Sequence, residues 1–470
     1  MKRRGSPGGL IEANTPSLPT SSVSKFQVMG GRRKARSLSD GSFIQDHYQC
    51  KASSSYKPTN PCPSPHEPVV HSISPTGHPP SAQVSVKDSG IVYSIFRGSL
   101  STIPPITPKS VATIFYKLLI LTHVPGSVLT SDLEQGSQES PALASETLDC
   151  LYGSYVSELC LTSFLQIMEK LSTPYQQMSS SHRCLDEENQ PRVVEVTMGP
   201  PPNPEYLSFE DMRKHENIWK FEQEWNVEVV LQKESVFRRH KRLAVFDMDS
   251  TLIQEEVIDE IARFIGLENE VSELTMLAMN GELDFSASLK ARVGLLKGVP
   301  ADVFERLKST ITISPGAREL CSALKTLGYK MAVVSGGFKP LADWLAGELG
   351  LDYAFANHLE IDNITQSLTG NLLPGYPIID AARKRHILHT LAADNGISMM
   401  QTLVVGDGVN DLLMLKEAGL GVAWRAKAKV QLEAPTRLNG TSLKDILYLL
   451  GLQEEDIKEL IVAGKARKAG

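Results

Sequence analysis

Leu243-Ala244-Val245-Phe246-Asp247-Met248-Asp249-Ser250-Thr251 is the stretch on which the fold of this chain turns. Four apolar residues without a polar interruption read as a strand covered on both faces. The strand stops at two carboxylates spaced i and i+2, which project near one another from its tip. Unpaired, they would repel, and a cation beside them is the natural compensation. The plainer reading is a polar loop that caps a helix, since Asp and Ser favour that position. Moving outward, further short apolar runs follow at Lys330–Val334, Tyr353–Ala356, Thr402–Val405 and Leu420–Trp424, separated by longer helical stretches. That alternation predicts an α/β fold, a doubly wound parallel sheet with helices on both faces, whose ligands bind at the carboxyl ends of the strands.

Two more strand ends carry residues that packing does not explain. Met331-Ala332-Val333-Val334 runs into Ser335-Gly336-Gly337, where a hydroxyl and exposed N–H groups at a glycine turn make an anion cradle. Leu403-Val404-Val405 runs into Gly406-Asp407-Gly408-Val409-Asn410-Asp411, adding two carboxylates and an amide. Hard oxygen donors beside an anion cradle suit Mg²⁺, which retains waters and a phosphate oxygen in its octahedron. Lys384 sits in a helical stretch, Asp380–Asn395, between Arg383 and Arg385. Taken alone it reads as part of a solvated basic face.

In order and spacing, Asp247-Met248-Asp249-Ser250-Thr251, Ser335-Gly336, Lys384 and Gly406–Asp411 resemble the haloacid-dehalogenase-like phosphatases, the phosphoserine phosphatases above all. The resemblance covers residues 241 to about 450 and implies an HAD-like domain over 241–470 with a small helical cap at about 256–312. It implies Asp247 as nucleophile, Asp249 as proton donor and acceptor, and Lys384 as a charge near the phosphate. Ser335, Gly336 and Asn410 would contact substrate, and Asp247, Asp249 (through its main-chain carbonyl) and Asp407 would hold Mg²⁺, with Asn410 and Asp411 in supporting positions. In the cap, Glu256, Met279, Phe285 and Arg292 fall where such enzymes contact substrate. Read from the residues alone, Phe285, Leu289, Arg292 and Leu296 are simply one face of an amphipathic helix with an arginine at its edge. Two rivals stand beside phosphoserine hydrolysis: a related phosphatase for another small phosphomonoester or a phosphoprotein, and a serine sensor without catalysis.

Upstream, residues 1–105 are crowded with Ser, Pro, Gly and Thr and predict a disordered tail. Within it, Arg32-Arg33-Lys34-Ala35-Arg36-Ser37 reads as a solvated charge run. Residues 106–236 predict a small α+β domain, from a strand at Thr113–Thr122, helices at Tyr155–Leu171 and Ser208–Trp225, and strands at Arg192–Thr197 and Val227–Leu231, with loops at Ser127–Ser154 and Thr173–Gln190. It resembles the ACT regulatory domain, with amino-acid binding or dimerisation as its expected role. Of the 470 residues 41% are hydrophobic, and the net charge is −6, so the chain lacks the basic footprint of a nucleic-acid binder. Six cysteines without CxxC spacing fit a reducing compartment. With no long apolar run, a cytoplasmic protein away from membranes is expected, acting on a small solute either alone or as a homodimer.

Overall fold

The computed structural model describes residues 93–95, 108–117, 153–172, 178–202, 204–279 and 284–469; for 93–95, 275–279 and 466–469 the description is of the backbone alone. The expected tail therefore lies outside the described residues except for β1 (Tyr93–Ile95), a strand where sequence predicts none. The basic run at 32–37 and the loop at 127–152 also lie outside them.

In chain order the upstream strands are β2 (Ser110–Tyr116), β3 (Met178–Cys184), β4 (Val193–Gly199) and β5 (Val227–Lys233). With the helix Glu158–Leu171 after β2 and the helices Phe209–Arg213 and Glu216–Glu224 after β4, they run β-α-β-β-α-β. The antiparallel sheet is ordered β1-β3-β4-β2-β5. Ser157 starts the first helix by accepting the Cys160 N–H at 3.2 Å. The predicted long helix at Ser208–Trp225 is in fact two, because the chain breaks at Lys214-His215 and His215 Nδ1 caps Asn217 N–H. β3 was expected to be loop. Its sequence, MSSSHRC, is polar, and pairing with β1 and β4 makes the strand where alternation does not announce it.

β2 is buried along its whole length because both faces of its sheet are covered. Ala112, Ile114 and Tyr116 pack with Phe164, Met168 and Phe221 of the helices. Phe115, Leu185, Val193 and Val230 join the apolar core of the downstream domain, where Phe115 meets Tyr448 edge-on at 6.4 Å between centroids. The two domains thus share one continuous hydrophobic contact.

The downstream strands are β6 (Leu243–Phe246), β7 (Lys330–Phe338), β8 (Tyr353–Asn357), β11 (Thr402–Gly406), β12 (Leu420–Trp424) and β13 (Thr436–Leu438). They form a six-stranded parallel sheet ordered β13-β12-β11-β6-β7-β8. Phe246 stands level with Val333 on one side and Val405 on the other. This register brings the ends of β6 and β11 to one height beside Val333 of β7, which runs on to Phe338 through Ser335-Gly336-Gly337, strand rather than the turn read from sequence, and the strand order reverses on either side of β6, where a doubly wound sheet opens its crevice. The doubly wound α/β class read from sequence is the observed one.

Between β6 and β7 the cap is built from helices Val257–Ile265, Glu268–Met279, Phe285–Leu295 and Val303–Leu307. Sequence missed its second component, a hairpin of β9 (Leu359–Asp362) and β10 (Ser367–Leu372) inserted after β8. The hairpin braces the cap: Gly298 N–H donates to Leu368 O and Leu368 N–H to Val299 O, each at 2.8 Å. Among the described residues, no helix is long and apolar enough to cross a membrane.

Candidate active site

At the end of β6, Asp247 is 5% exposed, and its Oδ1 accepts the Met248 N–H at 2.8 Å. Its own N–H donates to Val405 O at 2.9 Å, locking the tip of β6 to β11. Asp249 is extended (φ −64°, ψ 137°) and Ser250 left-handed (φ +53°), so the chain reverses at once and returns Glu256 to the opening, where Ser250 Oγ donates to Glu256 Oε1 at 2.8 Å. Burial, together with the charges of Glu256 and Asp247, holds the Asp249 carboxyl well above the usual carboxylate range.

Lys384 comes from the helix Ala381–Asp394, which Asp380 caps by accepting Arg383 N–H. The solvated-face reading of this lysine fails: it is fully buried, with Nζ 2.8 Å from both Asp247 Oδ1 and Asp411 Oδ1. Burial would lower its pKa, but the charges of Asp247 and Asp411 outweigh burial and raise it, so it is a permanent cation. Asp411 also accepts Gly408 N–H through Oδ2 at 3.0 Å. Gly406 is obligatory here, since a Cβ would lie 2.5 Å from Asp411 Cγ.

Asp407 Oδ1 accepts the Thr251 hydroxyl at 3.1 Å. Burial and the neighbouring charges of Asp247 and Glu256 push its carboxyl up to about 7. Asp247, Asp407 and Asp411 each place a carboxylate oxygen within 4.8 Å of the others. One lysine against this crowd leaves negative charge in excess, and an all-oxygen donor set in that state fits a hard divalent cation.

The anion cradle lies across from these acids. Ser335 Oγ accepts Gly337 N–H at 2.7 Å and faces Asp249 Oδ2 at 3.4 Å. Asn357 Nδ2 donates to Gly336 O at 2.7 Å while its Oδ1 accepts Ile379 N–H at 2.9 Å, which fixes the Gly336 peptide. A side chain at Gly337 would meet Asp249 Oδ2 at 2.7 Å, so the close approach of the two strand tips requires glycine.

The floor opens into a cavity of about 700 Å³ whose walls include Asp247, Asp249, Asp407, Gly336 and Asn410 below and Glu256, Phe285 and Arg292 from the cap. Phe285 lies against Gly336, with its Cζ 3.3 Å from where a Cβ would stand. Among the described residues, the Arg292 Nε is buried without a hydrogen-bond partner. An orphaned guanidinium donor on the wall of a cavity is costly unless something entering the cavity satisfies it.

A sequence model of the haloacid dehalogenase-like hydrolases matches residues 241–419. A probable phosphoserine phosphatase of Schizosaccharomyces pombe is 47% identical over 236 residues, covering 50% of this chain and 78% of the relative. The phosphoserine phosphatase of Archaeoglobus fulgidus is also 47% identical, over 234 residues, 50% of this chain and 67% of its own. The chain belongs to the phosphoserine phosphatase branch of the haloacid dehalogenase-like hydrolases. Among solved structures, an HAD family hydrolase of Salmonella enterica serovar Typhi is similar at 28% identity and a TM-score of 0.53, covering 73% of this chain and 98% of its own. That share extends beyond the residues of the HAD-like domain, so the similarity reaches the upstream fold.

Of the residues singled out for an HAD-like site, Asp247, Asp249, Lys384, Asp407, Ser335, Gly336, Asn410, Glu256, Phe285 and Arg292 gather around this one cavity or directly beneath it. Met279 ends a cap helix, and its side chain lies outside the described residues. Sequence reading passed over Thr251, Asn357 and the cavity-lining pair Lys427 and Lys429. Thr251 and Asn357 carry a signal after the fact, Asn357 as the polar residue that ends β8 and Thr251 as a polar residue in the helical turn that follows β6. The two lysines carry none, because only the path of the chain after β12 brings them there.

Proposed function

We propose that the chain hydrolyses O-phospho-L-serine to L-serine and phosphate through an aspartyl phosphate on Asp247, as the last step in making serine. The observation that supports this reading most is the pairing within one cavity of a reactive floor, Asp247 with Asp249 and Asp407, and a cap wall carrying both Glu256 and Arg292 with its unpartnered Nε. The substrate's carboxylate would take the Arg292 fork and its ammonium Glu256, so the amino acid is held at both ends.

Asp247 attacks phosphorus in line with the seryl oxygen. As the P–O bond to serine breaks, Asp249 delivers its proton to the departing oxygen; its raised pKa keeps that proton in place beforehand. Water enters after serine leaves, Asp249 takes a proton from it, and the hydroxide displaces Asp247 from phosphorus to release phosphate. Lys384 neutralises Asp247 in the resting site. Ser335 and the Gly336 N–H take charge on the phosphoryl oxygens. Asp247, Asp407 and the Asp249 carbonyl would hold Mg²⁺, Asp411 and Asn410 supporting them, and the ion would supply Lewis-acid neutralisation of the phosphoryl charge.

The upstream βαββαβ domain would act as an ACT-like regulatory or dimerising module, and the enzyme would work in the cytoplasm. A panel of phosphoserine, phosphothreonine, glycerol phosphate and an aryl phosphate, each with and without Mg²⁺, tests the reading. Phosphoserine should lead by a wide margin in kcat/KM and need the metal. Equal turnover of all four would replace amino-acid specificity with a general phosphatase.

A further inference from the structure

A second cavity, about 270 Å³, opens where the upstream domain meets the catalytic one. Arg213, Lys214 and Trp219 line it from the upstream side, and Gln431, Leu432 and Arg437 from the other. Arg437 is committed, bound to Glu222 and 3.7 Å from Glu228. Glu216, the one carboxylate among the lining residues, is tied to Lys220 at 2.6 Å. Arg213 Nη1 donates to the Ala434 carbonyl at 3.1 Å; burial presses its pKa down and the charge of Arg437 adds to that, against the opposing charge of Glu210. Among the lining side chains the cations Arg213, Lys214 and Arg437 therefore outnumber the single carboxylate of Glu216, with Glu210 acting on Arg213 and Glu433 on Lys214 from outside the lining. At its mouth Trp219 and Leu432 are 53% and 59% exposed, two large apolar surfaces left to solvent.

The cleft is also connected to the catalytic cavity by a very short piece of chain. Lys427, Lys429 and Val430 line the catalytic cavity, whereas Gln431, Leu432 and Ala434 line the cleft. The helix between, Ala428–Glu433, has six residues and spans about 9 Å. A body that short moves as one, so a shift at Leu432 is felt at Lys429.

We propose that this interdomain cleft binds a small organic anion with a flat apolar body, its acid group on Arg213 and Lys214 and its body against Trp219 and Leu432, and that occupancy changes substrate affinity through the helix Ala428–Glu433. The coupling rests on the phosphoserine reading; the binding does not. Para-trifluoromethylbenzoate carries both features and is visible by fluorine NMR. With the full chain and Mg²⁺, its signal should broaden saturably. Arg213→Gln should weaken binding at least about tenfold, and Trp219→Ala about fivefold, with thermal midpoint and probe-free turnover retained. Saturating inorganic phosphate, which fills the catalytic cavity, should not displace it. Saturating probe should move the KM for phosphoserine at least about twofold in the wild type but not in Arg213→Gln, as reciprocal linkage demands. Equal broadening in wild type and both variants, or displacement by phosphate, overturns the site. An unmoved KM at saturation overturns the coupling even if phosphoserine is turned over normally.

Discussion

Glu195 in the upstream domain and Asp249 in the catalytic one are both buried carboxylates, and they sit at opposite ends of one physical scale. Glu195 is 3% exposed and accepts Arg183 Nε at 2.7 Å and Arg238 Nη2 at 2.5 Å, with Arg239 at 3.5 Å. Burial alone would raise its pKa, but the bond from Arg183 and the charge of Arg238 prevail and hold it below the usual carboxylate range. Around Asp249 the balance is reversed: burial, Glu256 and Asp247 all raise it. Where counter-charge is complete, the acid stitches two domains together, since Arg183 also donates to the Gly451 carbonyl at 2.8 Å. Where counter-charge is incomplete, the site stores repulsion that a metal ion and a substrate relieve.

Breaking the uncompensated cluster should abolish chemistry, and breaking the compensated one should cost stability alone. Asp247→Asn should lower kcat by about four orders of magnitude, measured as phosphate release at saturating phosphoserine. Asp249→Asn should lower kcat about a thousandfold. The same change replaces a carboxyl that the site already holds protonated with a neutral amide of the same shape, so without metal the variant should melt no lower than the wild type. A clearly lower midpoint would count against a protonated carboxyl at this position. Arg292→Ala should reduce kcat/KM for phosphoserine by about two orders of magnitude while an aryl phosphate loses less than about tenfold; equal losses would remove the argument for amino-acid recognition.

On the other side, Glu195→Gln should leave kcat within about twofold yet cost about 3 kcal/mol by urea unfolding, because the buried Arg238 loses its close carboxylate and keeps Glu234 at 3.8 Å. The sign with pH follows from a depressed folded-state pKa: the Glu195 contribution is present above the unfolded value and disappears as pH falls through the folded one, so the variant's deficit should shrink in acid. Asp407 behaves oppositely. Folded, it titrates at about 7 against an ordinary 3.8, so metal-free protein loses its contribution as pH rises between those values. Mg²⁺ binds the ionised form, and its thermal stabilisation should be larger at pH 8 than at pH 5, by about 5 °C. A gain that does not depend on pH would mean that Asp407 is not part of the metal site.

Legibility divides along the same line as the chemistry. Asp247, Asp249, Ser335 and Asp407 could be read in advance because a parallel sheet announces its strands as unbroken apolar runs, and a polar residue at the end of such a run has nowhere to go but the crevice. The helix carrying Lys384 was legible to within a residue at each end, since Asp380 and Asn395 flank it as caps. β3 was not legible, because Ser179-Ser180-Ser181 carries no alternation and becomes strand only through pairing with β1 and β4. The hairpin β9/β10 escaped notice for a related reason: it gains its place by bracing the cap through Gly298 and Leu368.

The sequence by itself therefore determined the α/β class, the three reactive strand tips and the family to which they belong, since these depend on local period and on residues adjacent in the chain. Only the tertiary structure decided that Lys384 is a buried cation between Asp247 and Asp411, that Arg292 reaches the cavity with an unpartnered Nε, and that Glu195 is fully compensated while Asp249 is not. The physical reason is that burial and counter-charge are sums over neighbours distant in sequence, and a single stretch of chain carries no information about that sum.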